Sequence, residues 1–181
     1  LAVLLAMTVV AFSSPGVEFG PLVVAAQRRR RSVEELIAKT PADGLVGGLA
    51  RINGDRFTGH EANCVVASYD YMVLAGTQGT MNHAKKDRLF EIAEHNRLPV
   101  VLYAEGGGGR PGDTDGIGGS GLDCLAFSLF AGLSGLVPIV GITNGRCFRW
   151  YLASPSSMIF ARNPCLPIPS NLRMWSADPS C

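Results

Sequence analysis

The stretch that most constrains the fold is Leu98-Pro-Val-Val-Leu-Tyr-Ala-Glu-Gly-Gly-Gly-Gly-Arg-Pro-Gly-Asp113. Pro99 to Ala104 is apolar on both faces and rich in β-branched residues, the pattern of a strand buried inside a parallel sheet. It stops at Glu105 and gives way to Gly106, Gly107, Gly108 and Gly109. A glycine run costs backbone entropy, so it needs a reason. One reason is that bare N–H groups can turn toward a ligand with no Cβ in the way. Arg110 follows with a fixed charge and a fork of donors. A strand ending in such a loop, with an apolar helix-like segment downstream, predicts an anion or oxyanion cradle at the carboxyl edge of an α/β sheet.

At 181 residues the chain is sized for one domain with a real core. Hydrophobic residues make up 47% and charged residues 17%, which argues against a disordered chain. A net charge of +1 gives no electrostatic case for nucleic acid. Cys64, Cys124, Cys147, Cys165 and Cys181 are scattered and contain no C-x-x-C pair, so reduced thiols are expected, with neither a disulfide framework nor a metal site. That thiol pattern suits the cytoplasm.

The chain opens on Leu1 where a start codon would give Met, which suggests a truncated N-terminus. Leu1–Phe12 is apolar but lacks the positive n-region of a signal peptide and is too short to span a bilayer. The second apolar run, Phe19 to Ala26, is equally short and is interrupted by Pro21. Gln27–Arg31 is a basic run, read as a solvated lead-in.

Ser32-Val-Glu-Glu35 is a capping-box pattern, and Val33, Leu36 and Ile37 form an apolar stripe on a short helix that should end near Lys39, before Thr40-Pro41. Leu45–Ile52 and Cys64–Tyr69 read as strands, with Asn53-Gly54 as a hairpin signal followed by the irregular Asp55–Asn63. Tyr71–Ala75 reads as a further apolar element.

Thr80–Asn96 is the clearest helix, with Met81, Leu89, Ile92 and Ala93 on one side. Lys85 and Lys86 fall on what reads as its solvated face, within reach of the phosphates of an anionic ligand. His83 and His95 read as surface residues, and His60 carries no role. Asp113 and Asp115 suggest a Mg²⁺ site or an acid–base pair on chemistry alone, although no third ligand is visible and aspartate in a glycine-rich turn is ordinary turn chemistry.

Leu122–Leu133 is apolar nearly all round and predicts a buried helix. Val137–Thr143 predicts a second core strand feeding the turn Asn144-Gly-Arg-Cys-Phe148. In a βαβ arrangement that turn and Gly106–Arg110 leave the sheet at one edge. Beyond Phe148 the prolines leave at most one strand, Met158–Ala161, and truncation or a shifted reading frame is the expected explanation.

Five segments in order give the chain a family resemblance: Leu45-Val-Gly-Gly-Leu-Ala-Arg-Ile-Asn-Gly54, Leu74-Ala-Gly-Thr-Gln-Gly79, the charged helix, Pro99 to Arg110, and Val137-Pro-Ile-Val-Gly-Ile-Thr-Asn-Gly-Arg-Cys147. From Ala42 to Phe148 this order resembles the N-terminal half of the carboxyltransferase of biotin-dependent acyl-CoA carboxylases. The resemblance implies an α/β fold, a crotonase-like ββα superhelix incomplete at its C-terminus. It implies 1–31 as a poorly structured leader, 32–161 as a partial carboxyltransferase domain and 162–181 as an irregular tail.

The implied activity is transfer of a carboxyl group from carboxybiotin, held on a partner biotin carboxyl carrier and charged by a biotin carboxylase component, to the α-carbon of an acyl-CoA. The assembly would be a homo- or hetero-oligomer. Proton loss next to a thioester puts charge on the carbonyl oxygen, and removing one oxyanion donor costs about 3–4 kcal/mol, roughly a hundred- to thousand-fold in rate. By position Gly107 and Gly108 match the family's glycine pair and Cys147 with Phe148 a second donor turn. Gly106, Gly109, Arg110, Lys85 and Lys86 are the implied substrate-binding residues.

Arg149 and Trp150 stand where the family has small residues, and half of the active site lies outside the chain. The resemblance therefore implies that this polypeptide alone is inactive. Two other readings stay open. One is a crotonase-type hydratase or isomerase, with Glu105 and Asp113 as its carboxylate pair. The other is a non-catalytic scaffold of the same fold.

Overall fold

The computed structural model describes residues 16–115, 125–143 and 158–162, the last five as backbone alone. The main sheet has six strands: β1 (Val17–Glu18), β2 (Leu45–Arg51), β3 (Asn63–Tyr69), β5 (Val100–Tyr103), β7 (Ile139–Thr143) and β8 (Met158–Arg162), adjacent in that order. β1, β2 and β3 pair antiparallel, and β3, β5, β7 and β8 run parallel. A separate two-stranded sheet joins β4 (Thr77–Gln78) to β6 (Gly108–Gly109). The three helices are α1 (Val33–Lys39), α2 (Thr80–Asn96) and α3 (Ala126–Leu133). The crossovers from β3 to β5 and from β5 to β7 carry α2 and α3, as parallel neighbours require.

Period-two alternation divides the sheet. Leu45, Val65, Ala67, Tyr69, Val100, Leu102 and Ile139 face α2 and α3, where they meet Leu89, Phe90, Ala93, Phe130 and Leu133. The Phe90 and Phe130 rings sit 5.3 Å apart at 45°. Cys64, Val66, Val101 and Tyr103 form a second cluster on the opposite face, flanked by Val140 and Ile142. Both faces of β3 and β5 are buried, so their continuous apolar runs follow from the fold.

The expected helix boundaries match at Val33–Lys39 and Thr80–Asn96. Ser32 Oγ accepts from the Glu35 amide, while Glu35 turns its carboxylate to Arg31 and Lys39, so only half of the capping box forms. Arg97, left-handed at φ 54°, closes α2, with the Leu98 amide on the Ala93 carbonyl.

Several expectations are corrected. Asn53-Gly54 does not make a two-residue turn. The strands pair from Arg51 opposite Asn63 and are joined by a longer connection holding a 3₁₀ turn at Gly59–Ala62. Tyr71–Ala75 is a turn, with Met72 exposed and Leu74 and Ala75 at positive φ. Val33 and Ile37 face outward on α1, and only Leu36 is buried. On α3, Leu125 and Phe127 are exposed, so that helix is one-sided; Leu122 to Cys124 lie outside the described residues.

The leader, expected to be poorly structured, has defined contacts over Gly16–Arg31. β1 pairs with β2, Phe19 packs on the core, and Ala26 O accepts from the Thr114 and Asp115 amides. The Asp115 carboxylate in turn accepts from the Arg28 and Arg29 amides, which places Asp115 in a structural tie. Strand β8 appears where a last strand was expected. Among the described residues no helix is long and apolar enough to cross a membrane, and no cluster of metal-ligating side chains occurs.

Candidate functional site at the end of the central strand

β5 delivers Glu105 and the four glycines to the carboxyl edge of the parallel sheet, as expected. There β6 runs beside β4, the segment that leads into α2. The approach is close: a Cβ on Gly106 would lie 2.8 Å from Gly76 O, and one on Gly107 would lie 2.9 Å from Ala75 O. Gly108 sits at φ +89°, where L side chains are strained. Two of the four glycines are thus required by backbone packing and a third by its backbone conformation. At Gly109 an added Cβ meets nothing within 4 Å, so the outer side of the loop is open.

The amides are distributed accordingly. Gly107 N–H donates to Gly76 O at 3.3 Å, and Arg110 N–H donates to Gln78 O at 2.8 Å. The Gly107 amide therefore faces the protein's own backbone, not outward as expected of a donor pair. Successive residues of a strand in a parallel ladder direct their N–H groups to opposite sides. With the Arg110 amide on β4 and Gly109 paired opposite Gln78, the Gly109 N–H faces away from β4.

Arg110 was expected to bind substrate. Its side chain is 5% exposed and is held from within. Nε donates to Thr77 Oγ1 at 3.1 Å, one terminal nitrogen to Asp43 Oδ1 and the other to Thr77 O, both at 2.5 Å. Asp113 adds a carboxylate oxygen at 3.5 Å. Asp43 is fully buried, and Asn82 N–H donates to its Oδ2 at 2.8 Å. Burial pushes the Asp43 carboxyl above its ordinary range, against the opposing pull of Arg110 and the Asn82 amide.

Asp113 Oδ2 accepts from Thr80 N–H at 2.8 Å. Two carboxylates thus cap the positive end of α2, and Arg110 balances both. Asp43 had no role in the sequence reading. Its only local signal is its place in Thr40-Pro-Ala-Asp-Gly44, and its charge partner is 67 positions away.

The lysines are corrected as well. Lys85 and Lys86 are buried, not on a solvated face. Lys85 Nζ donates to the carbonyls of Gly20 (3.1 Å), Ala42 (3.3 Å) and Leu45. Burial lowers its pKa, with Glu18 and Asp43 opposing. Lys86 Nζ donates to Gln78 Oε1 at 2.6 Å and Tyr69 Oη at 3.2 Å, and lies 5.7 Å from the Tyr69 ring centre. Both ammonium groups are turned into the fold and bound there. His83 is buried too. Burial, then the charges of Lys86 and Arg110, lower it to about 4, with Asp113 opposing.

Glu105 and Asp113, the alternative carboxylate pair, are not joined by any interaction among the described residues. Burial and Asp70 raise Glu105, whereas Asp113 pairs with Arg110. Cys147, Phe148, Arg149 and Trp150 lie outside the described residues.

Among solved structures, the chain is similar to a single-chain, multi-domain long-chain acyl-CoA carboxylase, with 62% identity and a TM-score of 0.68 over 75% of this chain. Over that span the chain resembles part of an acyl-CoA carboxylase carboxyltransferase. It spans 13% of that carboxylase's length. Two further similar structures are a transcarboxylase 12S, crystallised with methylmalonyl-coenzyme A and methylmalonic acid, and the β subunit of a geranyl-CoA carboxylase from P. aeruginosa. The first is 22% identical with a TM-score of 0.49 over 72% of this chain and 23% of its own, the second 22% with 0.48 over 72% and 22%. No family model and no curated protein matches the chain.

Proposed function

We propose that the chain is part of a carboxyltransferase, which moves a carboxyl group from carboxybiotin to an acyl-CoA. The observation that carries this reading is the 62% identity to the long-chain acyl-CoA carboxylase over three-quarters of the chain. In this reading the fold is a crotonase-like ββα superhelix of which this chain holds an incomplete share, and the polypeptide alone is inactive. Biotin, when bound on a partner carrier, supplies the carboxyl group; the carrier and biotin carboxylase components and the oligomer lie outside this chain. The open outer side of Gly109 fits the approach of such a group. The parts with 1–31 as leader and 162–181 as tail, and a cytoplasmic location, belong to the same reading.

The chain's own contribution is electrostatic. A thioester losing its α-proton gathers charge on its carbonyl oxygen, and amide donors fixed in advance stabilise that charge without reorganising. We place one such donor group on the loop Gly106–Gly109, where Gly107 and Gly108 stand at the positions of the family's pair although the Gly107 amide is itself held by Gly76 O, and a second at Cys147 and Phe148. The test is calorimetric titration of the chain with acetyl-CoA and with free CoA. Binding of acetyl-CoA that Gly109→Val removes is the expected result, since the fold has room for that side chain and the ligand's approach does not. Absence of binding at millimolar thioester overturns the reading and favours a scaffold of the same fold.

A further inference from the structure

We infer that Arg110 is a positioning residue that turns the Gly109 N–H outward as the ligand-facing donor of the loop. The inference rests on the carboxyltransferase reading for the ligand, though not for the clamp itself. Three observations carry it. First, the guanidinium is already engaged by Thr77, Asp43 and Asp113 and is almost fully buried, so it has no reach to a ligand. Second, the Arg110 backbone N–H is bonded to Gln78 O. The side chain grips Thr77 and the main chain grips Gln78, so one residue fastens the end of β6 to both residues of β4. Third, fixing the Arg110 amide against β4 fixes the preceding peptide the opposite way. The N–H of Gly109 then points from the exposed side of a loop where nothing lies within 4 Å of an added Cβ. Gly107, by contrast, has its amide on Gly76 O.

The chemistry this suits is a carbonyl oxygen gaining negative charge, as in a thioester enolate. A neutral amide on a rigid strand end can stabilise such an oxygen, and the arginine behind it needs no direct contact. The positive charge of Arg110 is balanced by two carboxylates, so it is a poor phosphate anchor.

The experiment uses the full chain and amide NMR on the four loop glycines, with acetyl-CoA as the probe. In Arg110→Ala the amide of residue 110, bonded to Gln78 O in the wild type, should exchange with solvent about tenfold faster or more, while strand β5 keeps its protection. Added guanidinium at low millimolar concentration should restore the slow rate, a rescue that general destabilisation would not show. Unchanged loop exchange in Arg110→Ala overturns the clamp. Where that variant fails to fold, Thr77→Val removes the Nε acceptor, together with the hydroxyl's own bond to Leu74 O, and should loosen the same amide; no change there overturns the clamp equally.

In the wild-type chain acetyl-CoA should shift the Gly109 amide more than that of Gly107. A larger shift at Gly107 overturns the assignment of the donor. No shift at any loop glycine overturns the thioester reading and the donor assignment together, while the exchange result still decides the clamp.

Discussion

Replacing Asp43 by alanine is the sharpest test of how the site is held together. The Asp43 carboxylate is fully buried, 2.5 Å from an Arg110 nitrogen and 2.8 Å from the Asn82 amide. Its removal leaves a guanidinium that is 5% exposed with only Asp113, at 3.5 Å, as counter-charge. Breaking a buried pair from one side costs about 3–5 kcal/mol, and losing the helix cap adds about 1 kcal/mol. Against a whole-domain stability of about 5–15 kcal/mol, this is a third of the total or more. Urea unfolding at neutral pH, followed by circular dichroism, measures it.

The Arg88–Glu91 pair is the internal control. It is 3.0 Å long, yet its side chains are 69% and 43% exposed, so Glu91→Ala should cost about 0.5 kcal/mol or less. The double replacement Asp43→Leu with Arg110→Met should recover only part of the loss: it removes the unpaired guanidinium, but it leaves Asp113 without its cation and the Asn82 amide without its acceptor, and position 43 lies at φ 49°. If Asp43→Ala costs no more than Glu91→Ala, the two groups are solvated and the account of the clamp fails.

Other consequences follow from named groups. His83 is lowered from 6.5 to about 4 in the fold. The unfolded chain then binds more protons between those values, so stability is full above about pH 6.5 and is lost as pH falls toward about 4, by up to roughly 3 kcal/mol. His83→Gln should flatten that limb of a stability–pH curve, and an unchanged limb would assign it to other groups. Burial pushes the Cys64 thiol up to about 11, so alkylation at pH 8 with peptide mapping should find Cys64 unmodified until denaturant is added. Gly106→Ala forces a Cβ to within 2.8 Å of Gly76 O and should cost about 1–3 kcal/mol. Gly109→Ala should stay within about 0.5 kcal/mol; equal melting temperatures for the two would refute the close packing of β4 on β6.

The sequence showed element positions well because their signals are local. Ser32 caps α1, Arg97 and Pro99 follow the end of α2, and the apolar runs 99–104 and 137–143 bracket β5 and β7. It did not show which face of α2 turns inward. Counting apolar positions selects Met81, which is exposed, and misses Asn82, His83, Lys85 and Lys86, which are buried. Polar side chains carry no hydrophobic period. Their burial is made tolerable by acceptors remote in sequence: Gln78 and Tyr69 for Lys86, and three backbone carbonyls for Lys85. Asp43 was invisible for the same reason. A long-range ion pair leaves no mark in the residues on either side of it.

The glycine run was legible as a place and only half legible as a device. Bare backbone suggests bare amides, and that inference turned all four residues toward a ligand, Gly107 and Gly108 as oxyanion donors and Gly106 and Gly109 as substrate-binding residues. The structure divides them. Gly106 and Gly107 let the loop lie against Ala75–Thr77, a contact too close for side chains. Such a contact has a weakness, because two bare backbones offer each other few apolar atoms to pack and so little dispersion energy to hold them. Something else must fix their separation. Arg110 does so by bonding to Thr77 and Gln78 while ion-pairing with the carboxylates that cap α2. An arginine directly after a glycine run therefore follows from the mechanics of the loop, without any anionic ligand to attract it. The length of the clamp then matters as much as its charge: Arg110→Lys keeps the charge but has one nitrogen where the guanidinium has three, and it should loosen the residue-110 amide from Gln78 O nearly as much as Arg110→Ala does.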